Sequence, residues 1–65
     1  MVNAKINLNH AKRQAYALDD HELVKSLKSA QICWNFYIRT ENANQAQFQQ
    51  FLYWSIRAEI ARRWK

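Results

Sequence analysis

Apolar positions recur along this chain at helical intervals. Ala4, Leu8, Ala11, Ala15 and Leu18 step by four, three, four and three residues. On a helix that spacing forms one narrow seam, and its mostly small side chains let a neighbour approach closely. It predicts a first helix over about residues 4–17, with Asn3 or Asn7 as the N-cap. The next boundary is marked more strongly. Asp19 is placed to cap the following turn, Glu22 sits where it can reach back, and Leu18 and Leu23 flank the cap as a hydrophobic staple. A second helix follows over about residues 20–39. It ends in the polar stretch Thr40-Glu41-Asn42-Ala43-Asn44, where Asn42 is expected to take the left-handed turn that glycine would otherwise make. Asn44 with Gln47 repeats the capping pattern and opens a third helix, about 45–64.

The two long helices are of similar length with a short connector, which predicts an antiparallel hairpin. Both carry apolar residues on two sides. In the second helix Leu23, Leu27, Ala30, Trp34, Tyr37 and Ile38 share a wide stripe, while Ile32 and Phe36 lie opposite, among Lys25, Lys28, Ser29 and Arg39. In the third, Leu52, Tyr53, Ile56 and Ile60 form one stripe, and Phe51, Trp54, Ala58 and Ala61 another. One hairpin and a short helix bury one face of each long helix; the second face calls for another molecule. The expected fold is all-α, a short N-terminal helix plus a long antiparallel hairpin, dimerising into a helical bundle. Ile32, Phe36, Phe51 and Trp54 are its expected dimer interface.

Composition sharpens this picture. The 65 residues contain no glycine and no proline but nine aromatics. Sheets of this size need glycine in their tight turns, so helix is the consistent reading. A single domain this small supplies a core worth roughly 3–5 kcal/mol unless something else supports it. Cys33 is the only cysteine, so no internal disulfide forms. A lone thiol, the lack of a signal-like N-terminal segment and the lack of a long apolar run point to the cytoplasm.

Candidate chemistry is sparse. His10, His21 and Cys33 lack the spacing of a metal site, and Cys33 is expected to be a small buried hydrophobe. Ser26, Ser29, Ser55, Glu22 and Glu59 assemble into no nucleophile, base and orienting set, and no glycine loop exists to cradle phosphate. Neither an enzyme nor a cofactor is expected. The net charge of +5 instead implies an anionic partner. The cations are spread along the chain except for Arg57, Arg62 and Arg63, which with Trp64 form the expected partner-binding cluster.

In size and character, being tiny, basic, aromatic-rich and helical without catalytic residues, the chain resembles the early-region accessory proteins of lambdoid bacteriophages. That resemblance implies a protein that binds and diverts host factors in the bacterial cytoplasm. The expected function is a non-catalytic homodimeric module that modulates a host or partner protein. The alternative is a basic helical DNA-binding accessory or repressor, for which nucleic acid would be the partner.

Overall fold

Asp19 sets the first corner of the chain. Its carboxylate accepts a hydrogen bond from the Glu22 amide at 2.8 Å, and its carbonyl accepts one from the Leu23 amide at 2.9 Å. One orphan amide of the new helix is thereby satisfied and its first intrahelical bond is closed. Leu18 and Leu23 on either side of the cap enter the same apolar cluster. The structure, a computed structural model, describes residues 4–64. It contains α1 (Ala4–Ala17), α2 (Asp20–Arg39) and α3 (Ala43–Arg63). No strand occurs among the described residues.

The second corner departs from the expected chemistry. Glu41, not Asn42, adopts the left-handed conformation, with φ of 59°. The Asn42 amide donates to the Tyr37 carbonyl at 2.9 Å and the Glu41 amide to the Ile38 carbonyl at 3.2 Å. These two bonds form a Schellman motif, with a non-glycine residue at its left-handed position. Asn42 serves the next helix instead: its side-chain oxygen accepts from the Gln45 amide at 3.4 Å. The third helix therefore starts at Ala43, two residues before the expected position. Asn44 lies inside its first turn.

Asn7 is not a cap either; Asn3, the other candidate, lies outside the described residues. Asn7 lies within α1, and its amide donates to the side-chain oxygens of Asn44 at 3.0 Å and Gln47 at 3.1 Å. This ties the beginning of α1 to the beginning of α3. At the other end Arg63 donates to the carbonyls of Leu18 at 2.7 Å and Tyr16 at 3.0 Å. It also meets Asp20 at 3.1 Å, at the start of α2. α1 and α3 thus lie side by side pointing the same way, and the first turn of α2 sits beside the last turn of α3.

α3 is the shared element, packing along both α2 and α1, which scarcely touch each other. The buried residues are few: Ala11, Ala15, Leu23, Ala30 and Ile56. Ala15, Leu23 and Ile56 are the centre of the core, with Leu18, Leu27, Leu52 and Ile60 packed around them. The molecule measures 35 × 22 × 15 Å. It exposes 4933 Å², whereas a compact protein of this mass exposes about 4,400 Å². The excess follows from two helices flanking a third with no layer above them.

Candidate functional site

α1 meets α3 through alanines, and that choice leaves room outside the contact. Ala11 and Ala15 are fully buried, so the two backbones approach closely. Next to that seam, Leu8, Lys12 and Tyr16 follow one another at intervals of four along α1. They face Phe51, Trp54, Ser55, Ala58 and Glu59 of α3 across an open groove of about 670 Å³, with Arg13 at its edge. Leu8, Tyr16, Phe51, Trp54 and Ala58 make its surface largely apolar. Trp54 remains 51% exposed and Tyr16 69%, so two of the largest rings in the chain are poorly covered.

Cations surround this apolar surface. The Arg57 guanidinium lies over the Trp54 ring at 5.2 Å and the Tyr53 ring at 5.8 Å. Arg62 lies over Tyr16 at 5.8 Å. These placements keep the arginines close to the rings they flatten against while leaving charge at the rim. Lys12 and Arg13 form no ion pair with any described residue. Glu59 is the only carboxylate among the described residues that line the groove, and it is matched twice, by Arg62 at 2.8 Å and Arg63 at 3.1 Å. The hydrogen bond from Arg62 holds the Glu59 carboxyl below its ordinary value, and the same pairing raises Arg62 above its own.

The residues expected at a partner-binding site divide accordingly. Arg57 and Arg62 lie on the surface near the groove, and Trp64 is 50% exposed at the end of α3. Arg63 is committed within the chain, where it joins all three helices through Glu59, Asp20 and the carbonyls of Tyr16 and Leu18. The four residues expected at a dimer interface also divide. Phe51 and Trp54 line the groove. Ile32 and Phe36 stand on the outward side of α2, about half a turn from the buried Leu23 and Ala30, with 61% and 58% of their surfaces exposed. Val24, about 80° round the helix from Ile32, and Ile38, on the edge of the opposite stripe, are exposed as well.

Lys12, Arg13 and Tyr16 are groove residues that the sequence pattern did not single out, whereas Leu8 was read into the α1 seam and Ala58 into the second stripe of α3. The available signal was the line Leu8–Lys12–Tyr16 beside the alanine seam, since an aromatic there exceeds what a close-packed contact uses. Cys33 is half-buried, not fully buried as expected, because it lies at the edge of the stripe that α2 turns toward α3. No group of His, Cys, Asp or Glu among the described residues is arranged to hold a metal ion. No helix among them is long and apolar enough to cross a membrane. Compared with known proteins, the chain matches no family model, and neither curated proteins nor solved structures yield a significant match.

Proposed function

We propose that this protein is a small non-catalytic helical interaction module. It pairs with a second copy of itself and holds another protein against its α1–α3 face, in the manner of a phage accessory protein that modulates a host factor. One observation carries this reading: large apolar side chains stand exposed on helices whose shared core holds only five buried residues among those described. Val24, Ile32, Phe36 and Ile38 account for four of the eight large hydrophobics exposed among the described residues, all on α2. At about 25 cal/mol per Å² of apolar surface removed from water, covering such side chains is worth as much as a small core. The α2–α3 hairpin then supplies the rigid body, and two hairpins joined through α2 build a four-helix centre with each α1 outside.

Lys25, Lys28 and Arg39 flank the Ile32–Phe36 pair. Added salt therefore strengthens self-association by screening like charges. Sedimentation velocity at tens of micromolar tests the proposal, with dimer expected and Phe36→Glu expected to give monomer. A wild-type chain that remains monomeric in both low and high salt removes the self-association half. The basic charge also admits the DNA-binding alternative. Affinity for a short duplex that falls steeply with salt would favour it over the protein-binding reading.

A further inference from the structure

We infer that the groove between α1 and α3 binds a short amphipathic helix whose apolar stripe is flanked by Asp or Glu side chains. This names the partner class of the interaction module proposed above and rests on that reading. The shape sets the size. Leu8 to Tyr16 on one wall and Phe51 to Glu59 on the other each cover nine residues, or about 12 Å of helix. An occupant therefore seats about two turns, which present apolar anchors at the i, i+4 and i+7 positions.

Charge decides which helix fits. Lys12 and Arg13 at the rim pair with no other described residue, and the exposed Arg57 places its guanidinium 5.2 Å from the Trp54 ring centre. Glu59, the one carboxylate among the described lining residues, is already shared by Arg62 and Arg63. An incoming acidic side chain meets unmatched cations, whereas an incoming basic one meets repulsion. A second copy of this chain is the wrong occupant for that reason. Its own exposed pair, Ile32 and Phe36, is ringed by Lys25, Lys28 and Arg39. A nucleic-acid backbone would use the cations but leave Leu8, Phe51 and Ala58 facing water, so the apolar walls favour protein.

A yeast-displayed library of helical peptides about 14 residues long tests this. Leucine is fixed at the i, i+4 and i+7 positions, and the flanking positions are varied between Glu and Lys. Selection against the labelled full chain is expected to enrich Glu. The selected peptide, titrated by fluorescence anisotropy, should lose at least tenfold in affinity on Ala58→Gln, which adds volume to the groove without charge. Ala58 is exposed, and circular dichroism confirms that this variant folds; Trp54→Ala provides a second groove change. The double variant Lys12→Glu with Arg13→Glu should turn the selection toward Lys. No binders, no enrichment of Glu, undiminished binding to Ala58→Gln, or equal competition by a duplex oligonucleotide would each overturn the inference. The two proposals fail separately. Peptide binding weakens with salt, whereas association through α2 strengthens. A chain that dimerises but selects no acidic peptide loses the groove assignment alone.

Discussion

The two seams on α3 are built from opposite materials. Toward α2 the contact is filled by large side chains: Leu23, Leu27 and Trp34 against Leu52, Tyr53, Ile56 and Ile60, with the Trp34 and Tyr53 rings 6.2 Å apart. Toward α1 the contact is two alanines, and polar tethers at each end supply what packing does not. Large residues lock a seam, because interdigitated side chains exclude alternatives. Small residues bring backbones together yet leave the flanking rings uncovered. Packing is therefore concentrated on the α2 side, and uncovered aromatic surface borders the α1 side.

Breaking the filled seam should have the largest effect. Ile56 is fully buried beside Ala15 and Leu23, and Ile56→Ala is expected to cost about 3 kcal/mol. That removes most of the stability such a core provides, so the thermal transition followed by circular dichroism should lose its cooperativity. Leu8→Ala, made in the open groove, should cost less than about 1 kcal/mol and leave the transition in place. Equal losses at the two sites would abolish the distinction between the seams.

The tethers come next. Arg63→Met keeps the aliphatic stem but removes the guanidinium that reaches Tyr16, Leu18, Asp20 and Glu59. A loss of about 2 kcal/mol is expected. Hydrogen exchange should quicken in α1 far more than in α2, and most at its C-terminal end, since only the alanines and the Asn7 tether at the other end are left to hold it. Uniform quickening would mean that the seams are not independent. At the far corner, Glu41→Gly relieves the left-handed strain and should stabilise by about 0.5–1 kcal/mol. A destabilised Glu41→Gly protein would show that the corner is not under strain.

The smallest effect is that of pH on the Glu59 pairing. Its folded-state carboxyl lies below the ordinary 4.5. Its contribution is thus present in full above about pH 4.5 and is lost as pH falls through the lower folded value. Acid titration of wild type against Glu59→Gln should show the variant lacking that part of the loss. Identical acid profiles would remove Glu59 from the account.

The helices were legible where caps are unambiguous. Asp19, Glu22 and the leucines around them admit one reading, and α2 spans the expected residues. The second corner misled because two asparagines, Asn42 and Asn44, can each cap a helix, and Asn44 with Gln47 imitates the capping pattern. Asn42 caps α3 with its side chain, so the left-handed residue is the one before it. The double apolar face of each long helix was visible as periodicity. Which neighbour would meet which face was not, because that depends on contacts far apart in sequence. Arg63 and Tyr16 are 47 residues apart, and no local spacing announces such a pair. For the same reason α1 was expected to offer a single seam that included Leu8, whereas Leu8 joins Lys12 and Tyr16 to form half of the groove.

The three indoles occupy three different settings, which gives the molecule built-in optical probes. Trp34 sits half-buried against Tyr53, Trp54 stands half-exposed on the groove, and Trp64 is half-exposed at the helix end. Variants retaining a single indole convert unfolding and ligand capture into separate emission signals. Light from Trp34 shifts to the red as α2 leaves α3, while light from Trp54 shifts to the blue when a bound segment displaces water from it.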